Sequence, residues 1–408
     1  MANDTLAGGL PGIALHRAVP RQPVRAAELT YAVERTLADF LAGQVAALET
    51  VDPELGSFAG TTRDLVLAGG KRLRPTFAYW GWRGIAGPHE PVTPIAPALA
   101  SLELMHTFAL VHDDVMDESA TRRGRPTAHR IFAAQHHSAR RVGDPDRFGS
   151  AAAVLLGDLC LVWADQLLAR SAISTGALFA VRACYDRMRI EAVAGQYLDI
   201  LGEAEPDTWS VERALLVARH KTASYTVQRP LQFGAALAGT PAHLGPGPSA
   251  AADAAYSRYG EAVGEAFQLC DDILGVYGDP AVTGKPAGDD LRTGKPTALL
   301  MLARQLADPA QRAELDRGPA GAVNPAGGSG GHDHRGPERP HDRVHPGDTV
   351  DVERLADVIA ATGAVRHVEA LIRQRVDEGI DALRQAPIHD DARRALTELA
   401  VAATDRSS

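Results

Sequence analysis

Two aspartate clusters set into apolar, helix-like runs constrain this chain more than any other feature. They are Asp113-Asp114-Val115-Met116-Asp117 and Asp271-Asp272-Ile273-Leu274, with Asp279 beyond the second. Carboxylates among apolar neighbours cost free energy unless something cationic compensates them. A fold that accepts both clusters must therefore bring cations to them. Hard oxygen ligands suit Mg²⁺, which commonly binds through one or two carboxylates together with phosphate oxygens. Two such clusters facing each other would hold several Mg²⁺ ions around a diphosphate, and the pattern points to chemistry that ionises one.

Composition narrows the scaffold. Of 408 residues, 45% are hydrophobic, which is ample for a core, and Ala and Leu outnumber β-branched and aromatic residues along most of the chain. That balance points to an all-helical protein. A formal net charge of −9 with no basic block gives no sign of nucleic-acid or anionic-lipid binding. Cys160, Cys184 and Cys270 lack a short paired spacing. They fit buried side chains in a reducing compartment better than a disulfide or zinc framework. The N-terminus lacks the basic region and apolar run of a signal peptide, and no window of about twenty uninterrupted apolar residues occurs. A soluble, cytoplasmic protein without a transmembrane segment is expected.

Residues 1–25, rich in Gly, Pro and Arg, are expected to form a disordered tail. Leu29, Val33, Leu37, Phe40, Leu41 and Val45 then recur at spacings of three and four, as a buried helical face requires. Further helical runs are expected near 94–117, 150–170, 176–201, 210–238, 250–278 and 294–307. Pro and Gly clusters at 86–91, 142–149 and 239–248 read as breaks. The stretch 308–350 cannot bury enough apolar surface to offset chain ordering and reads as a disordered insertion. Periodicity resumes at Val352, Leu355, Val358 and Ile359, so 26–400 reads as one interrupted domain, with 401–408 as a C-terminal tail. His332-Asp333-His334, with His341 and His345, has nothing around it to fix a coordination geometry and reads as loop.

Residues four apart on a helix project about 40° from each other, so Asp113 and Asp117 share a face with Asp114 to one side. The preceding run from Leu102 to Val111 is mostly apolar and should be buried. A buried helix that delivers three carboxylates at its end reads as a site. Thr121-Arg122-Arg123-Gly124-Arg125-Pro126-Thr127 follows as a basic turn, and Gly69-Gly70-Lys71-Arg72-Leu73-Arg74-Pro75 gives another upstream. Guanidinium forks match phosphate oxygens bidentately.

Taken in order, these motifs resemble those of the trans-isoprenyl diphosphate synthases, the polyprenyl synthetase family of head-to-tail prenyltransferases. Gly195-Gln196-x-x-Asp199, Lys221-Thr222, Phe267-Gln268-x-x-Asp271-Asp272 and Gly284-Lys285…Asp290…Gly294-Lys295-Pro296-Thr297 extend the match. It covers about 26–305 and, more weakly, 350–400. The resemblance implies an all-α bundle of long antiparallel helices around a cavity, usually a homodimer. It also implies three Mg²⁺ ions with substrate bound. Asp113 and Asp117 would ligate two of them, supported by Asp114. Asp271 would ligate the third, with Asp272 and Asp290 orienting its waters. Arg122, Lys221 and Lys295 would bind an allylic diphosphate; Lys71, Arg74, His106 and Arg123 would bind isopentenyl diphosphate. Oxygens near Lys221-Thr222, and Gln268, would face the allylic cation.

One position departs from the family pattern. The second cluster usually ends with an aspartate four residues after its first, and here that position is Gly275. Asp279 is eight residues after Asp271, about 12 Å along a regular helix, and cannot simply substitute. Gly275 is therefore expected to loosen the site. A class I terpene cyclase would also carry an Asp-rich helix but needs no separate isopentenyl diphosphate site. A non-catalytic partner subunit would be expected to lose acidic ligands. Phe108, about 7.5 Å below Asp113 on its helix, is expected to floor the chain tunnel beside the small Ala109. In the family that pairing resembles enzymes making geranylgeranyl diphosphate, with farnesyl diphosphate the second reading.

Overall fold

The computed structural model describes residues 24–239, 250–278, 288–317 and 351–404. Its first half contains α1 (Val24–Glu49), α2 (Pro53–Leu67), α3 (Leu73–Ala86), α4 (Ala96–Met116), α5 (Ala128–Ser138), α6 (Pro145–Leu168) and α7 (Thr175–Ala204). A continuous helical rod follows, made of α8 (Val211–Val217), a π-helical stretch Ala218–Gln228, and α9 (Arg229–Leu237). Then come α10 (Ala250–Tyr277), α11 (Asp289–Thr293), α12 (Ala298–Leu306) and α13 (Pro309–Leu315). The chain ends with α14 (Val352–Thr362), α15 (Ala364–Leu383) and α16 (Asp390–Ala403). A hairpin of β1 (Thr121–Arg122) and β2 (Arg125–Pro126) interrupts the helices. The fold is all-α, as composition implied.

Several helices begin where chain chemistry demands. Asp52, Asp144 and Asp308 each cap a helix whose first residue is proline, and Ser174 caps α7. Such caps satisfy otherwise orphaned N–H groups, while proline at the first position has no N–H to lose. The Asp144-Pro145 pair moves the start of α6 into the stretch 142–149 read as a break. Likewise, Asp308 and Gln311 form a reciprocal capping box, so 309–315 is helical rather than part of an insertion. Residues 318–350 and Asp279 lie outside the described residues. The pattern reading passed over α3, whose Phe77, Ala78, Tyr79, Trp80 and Trp82 are all buried. A helix covered all round shows no polar stripe.

Two apolar clusters organise the bundle. The larger joins α1, α3, α4, α6, α7, α9 and α16 with the first half of α10. The second packs the last turns of α10 against α8, α12, α14 and α15. By length and composition alone, Thr93–Met116 and Pro145–Leu168 are apolar enough to cross a membrane, a test that core helices also pass. Here they are α4 and α6, packed against each other inside the bundle.

The close approach of α7 to the π stretch requires glycine. A Cβ on Gly195 of α7 would sit 2.3 Å from the Lys221 backbone nitrogen in the π stretch. Gly195→Val should therefore push α7 off this stretch at a cost of about 1–3 kcal/mol, typical of overpacking. A lowered melting temperature together with lost turnover is the expected result. Wild-type values for both would refute this account of the contact.

Candidate active site

The first aspartate cluster sits where α4 leaves the core. Ser101 to Met105 are buried, whereas His106, Thr107, Phe108, Ala109 and Leu110 are all half-buried, so this part of the helix borders open space. At the end of α4, Asp113 is met by three donors from other elements. Lys221 Nζ approaches its Oδ1 at 2.9 Å, Gln196 Nε2 reaches the same oxygen at 3.2 Å, and Arg122 Nη2 donates to Oδ2 at 2.9 Å. Arg122 Nε also donates to the buried Asp114 at 2.7 Å. Lys221 bonds Asp199 as well, and Lys295 Nζ lies 3.0 Å from that same Asp199 oxygen. Arg122, Asp113, Lys221, Asp199 and Lys295 thus form one alternating chain of charge.

Burial alone would raise the Asp113 carboxyl, but Lys221, Lys295 and Arg122 outweigh it and hold the group well below the usual carboxylate range. Lys295 is likewise held well above the ordinary lysine value, because Asp199, Asp117 and Asp113 overcome its desolvation. Asp117 caps the end of α4, and its carboxyl is pushed up by burial and by neighbouring Asp113.

A second, basic pocket lies beside this chain. The buried Arg74 guanidinium lies over the Tyr225 ring, 4.2 Å from its centroid, and donates to Thr226 Oγ1 at 2.8 Å. Its Nε is buried without a hydrogen-bond partner. His106 Nδ1 is 3.4 Å from the Tyr225 hydroxyl. Burial and the nearby Arg74, Arg123, Arg122 and Arg72 depress the His106 pKa well below its ordinary value. Arg123 turns the β1–β2 hairpin with φ 52°, followed by Gly124 at φ 70°, as a two-residue hairpin turn requires. Its guanidinium donates to the Gly69 carbonyl at 2.9 Å, joining the hairpin to the Gly69–Pro75 turn. Lys71 is exposed at that turn. Arg72 instead points inward to the buried Glu103 at 2.6 Å.

The second acidic cluster divides into two roles. Asp271 is exposed on α10. Asp272 is turned inward: it accepts from Gln268 Nε2 at 2.9 Å and from the Ala298 backbone N–H at 3.1 Å. It therefore anchors the start of α12, and Gln268 is engaged with it. Asp290, on α11, lies directly against Gly275. Among the described residues, no three His, Cys, Asp or Glu side chains form a closed metal cage. Mg²⁺ usually completes its shell with water and phosphate oxygens and needs no closed protein cage. Asp113, Asp117, Asp271 and Asp290 are the carboxylates that could hold it.

Sequence reasoning named the Gln196-x-x-Asp199 motif without a role, although its three-residue spacing puts both side chains on one helix face. Asp199 proves to be the carboxylate shared by two lysines. Tyr225, under Arg74 and beside His106, had no signal beyond its nearness to Lys221-Thr222. Thr222 is half-buried beside Lys221 in the π stretch, a helical irregularity that often marks functional sites.

A helical bundle bearing two acidic clusters and two basic pockets defines an isoprenoid synthase-type enzyme. Residues 57–318 match the polyprenyl synthetase family model, and the chain belongs to that family of trans-prenyl diphosphate synthases. Its structure is similar to a geranylgeranyl pyrophosphate synthase from Corynebacterium glutamicum, crystallised with isoprenyl diphosphate and magnesium. The TM-score is 0.80 at 38% identity, covering 93% of this chain and 99% of that one. A geranylfarnesyl diphosphate synthase from Aeropyrum pernix is 31% identical over 346 residues, 84% of this chain and 91% of that enzyme. A (2E,6E)-farnesyl diphosphate synthase from Mycobacterium tuberculosis is 30% identical over 348 residues, 83% of this chain and 80% of that enzyme. The three names carry three product lengths, so membership fixes the reaction class and not the product. Family members use isopentenyl diphosphate with an allylic diphosphate and depend on Mg²⁺.

Two predictions follow from the charge geometry. A divalent cation at Asp113 must displace Lys221 and Arg122, which would then keep only Asp199 and Asp114 as their carboxylate partners unless an anion arrives with it. Inorganic diphosphate should therefore strengthen Mn²⁺ binding by about tenfold or more, and Mn²⁺ should strengthen diphosphate binding by the same factor. Independent binding in titration calorimetry would refute the coupling. The second prediction concerns Asp272, whose carboxyl is raised to about 7 by burial and by the nearby Asp290 and Asp271. Because its unfolded value is about 3.9, the folded state holds the extra proton between those values, and stability is lost as pH rises through that window. In EDTA, Asp272→Asn should gain stability over the wild type progressively from about pH 4 to 7, where the difference levels off. A constant difference across that range in denaturant melts would sink this reading.

Proposed function

We propose that the chain is an active, Mg²⁺-dependent chain-elongating synthase that condenses isopentenyl diphosphate with an allylic diphosphate, with geranylgeranyl diphosphate as its main product. The observation that carries this reading is the pairing of two anion pockets: one threaded with carboxylates, the other without. Arg122, Lys221 and Lys295 hold the allylic diphosphate beside Asp113 and Asp117. Arg74, His106, Arg123 and Lys71 hold the second diphosphate, and the partnerless Nε of Arg74 favours an anion there. A terpene cyclase has no use for that second pocket. A non-catalytic subunit has no use for Asp113, Asp114, Asp117 and Asp271 together.

Bound Mg²⁺, three ions in the full complex, would neutralise charge growing on the departing diphosphate. Arg122, Lys221 and Lys295 add preorganised cationic stabilisation to the same oxygens. Thr222 and the π stretch place oxygens beside the cation left when the allylic carbon–oxygen bond breaks. The basic pocket holds the isopentenyl double bond for attack on that cation, and the proton then lost is taken up by released diphosphate. Purified protein incubated with Mg²⁺, radiolabelled isopentenyl diphosphate and each allylic starter should make elongated prenyl diphosphates without a partner. Asp113→Ala should remove nearly all of that turnover while the protein stays folded. An inactive wild type, or a near-native Asp113→Ala, would overturn the assignment.

Product length rests on Phe108. Its ring, in the half-buried stretch 106–110 of α4, meets His112 edge-on with centroids 4.9 Å apart. Phe108→Ala should lengthen the products by at least one isoprene unit, and Ala109→Phe should shorten them. Unchanged products from both variants would place the tunnel floor elsewhere.

The partner in solution is a second copy of the chain. Val154, Leu155 and Val162 of α6, with Phe179, Ile190, Val193 and Tyr197 of α7, are exposed apolar side chains on consecutive helices. A patch of this kind marks an interface. Ile190→Asp with Val193→Asp should convert a dimer to a monomer in light scattering; a wild-type monomer would exclude the proposal. The buried Cys160, in no disulfide, suits a cytoplasmic location.

A further inference from the structure

Trp209 is buried beside the ion chain but takes no part in it. It stands in the connection between α7 and α8, and its neighbours give it a role. Gly202, three residues after Asp199 on α7, leaves a notch near the side of the helix that carries that carboxylate. A Cβ built on Gly202 would lie 2.8 Å from Trp209 Cε2, 2.9 Å from Trp209 Cζ2 and 3.1 Å from Pro296 Cγ. The indole and the proline ring therefore lie side by side in the space that a residue-202 side chain would need. Pro296 directly follows Lys295, whose Nζ is 3.0 Å from Asp199.

Both sides of this contact are tied down. The Trp209 N–H donates to the Pro206 carbonyl at 3.3 Å, and the next residue, Ser210, caps α8 by accepting from the Arg213 N–H at 3.3 Å. The Arg213 guanidinium lies over the indole, 4.9 Å from its centroid. Trp209 belongs to the second apolar cluster with Ala214 and Val217 of α8, and α8 runs directly into the π stretch that carries Lys221. On the other side, α11 lies between Gly288 at φ 71° and Gly294 at φ 68°, left-handed positions that glycine adopts freely. The Lys295 N–H donates to the Asp290 carbonyl at 2.9 Å, and the Thr297 N–H donates to the Lys295 carbonyl at 2.8 Å. One indole thus joins the helix of Asp199, the rod of Lys221 and the turn of Lys295.

We propose that Trp209 is a positioning residue for the diphosphate-binding lysines: seated in the Gly202 notch against Pro296, its indole sets Lys295 and Lys221 at the spacing from which both reach one allylic diphosphate. This rests on the prenyl-transfer reading above. A lysine ammonium is a point charge on a flexible stem, so where it can reach depends on the backbone it leaves from. The pocket for isopentenyl diphosphate does not depend on this contact, because Arg74 and His106 stand on α3 and α4, which pack in the larger cluster. Loss of the indole should therefore weaken one substrate and spare the other, a split that general destabilisation does not produce.

Steady-state kinetics with each substrate varied in turn, and calorimetric binding of an unreactive allylic thiolodiphosphate with Mg²⁺, test the assignment. Trp209→Ala should raise the KM for the allylic diphosphate and the Kd of the thiolodiphosphate by about tenfold or more, the scale on which misplaced binding groups act. The KM for isopentenyl diphosphate should stay at its wild-type value. Trp209→Phe, which keeps an aromatic ring against Pro296, should recover most of the lost affinity. Gly202→Ala should give the same split, because its methyl group would evict the indole. Alanine is the better residue inside a helix, so this variant carries the test if Trp209→Ala fails to fold. Leu315→Ala, at a buried position of the same cluster on α13, should lower the melting temperature and move neither KM. Equal rises in both KM values would overturn the assignment. So would wild-type thiolodiphosphate affinity in folded Trp209→Ala or Gly202→Ala, or the same split in Leu315→Ala. A wild-type protein that binds no thiolodiphosphate would instead defeat the prenyl-transfer reading itself.

Discussion

The ion chain through Asp113, Lys221, Asp199 and Lys295 is the constraint to which the surrounding structure conforms. Its members come from α4, the π stretch, α7 and the turn before α12, and none could be buried alone. Removing one partner from a buried pair costs about 3–5 kcal/mol, because the other charge stays behind without compensation. Each element is thus held in place by the charge on another. Gly195 lets α7 reach the π stretch, and Asp272 fixes the start of α12 close to Lys295. The bundle's apolar cores supply the bulk of its stability, while this chain of charge sets the register in which the helices meet.

Such a site is neutralised internally, and that shapes its chemistry. Buried ion pairs roughly break even against desolvation, so their partners can be exchanged at little net cost if replacements arrive together. A diphosphate with its counter-cations would be such a replacement: lysines and arginine would turn to phosphate oxygens and carboxylates to metal. Neither half of the exchange is favourable alone. The pocket around Arg74 is built differently. It holds an orphaned guanidinium nitrogen and a histidine whose pKa is depressed by burial and by four nearby arginines, an arrangement that suits an anion.

Much of this was legible in the sequence because it depends on spacing along single helices. Asp113 and Asp117 share a face at any regular geometry, and Lys221, Lys295, Arg122, Arg74 and His106 stood in motifs that the fold brings together. Long amphipathic runs gave α4, α6, α7 and α10 to within a few residues. What was hidden depends on contacts between elements. No periodicity reveals that Asp272 turns toward the Ala298 N–H, or that Asp199 is shared by two lysines. The placement of Asp290 over Gly275 follows from a glycine-flanked turn meeting a helix, a relation with no fixed sequence distance. α3 was lost because burial on every side erases the pattern that marks a helix.

The two pockets also differ in backbone economy, and this bears on how they work. The carboxylate-lined pocket draws Asp113 from α4, Asp199 from α7 and Lys221 from the π stretch, with Arg122 from the hairpin and Lys295 from the turn before α12. The basic pocket hangs on turns that hold Arg72 at φ 48° and Arg123 at φ 52°, a conformation that costs a non-glycine residue about 1–2 kcal/mol. That strain is tolerated because each arginine is tied down. Arg72 is locked to Glu103, and Arg123 reaches Gly69 past a glycine at 70, where a Cβ would come within 2.7 Å of its guanidinium. The lock on Arg72 turns one cation of the Lys71–Arg74 turn inward. Surface turns open at lower free energy than packed helices. Within the basic pocket, Arg74 and His106 are therefore held on packed helices, while Lys71 and Arg123 sit on turns of lower local stability.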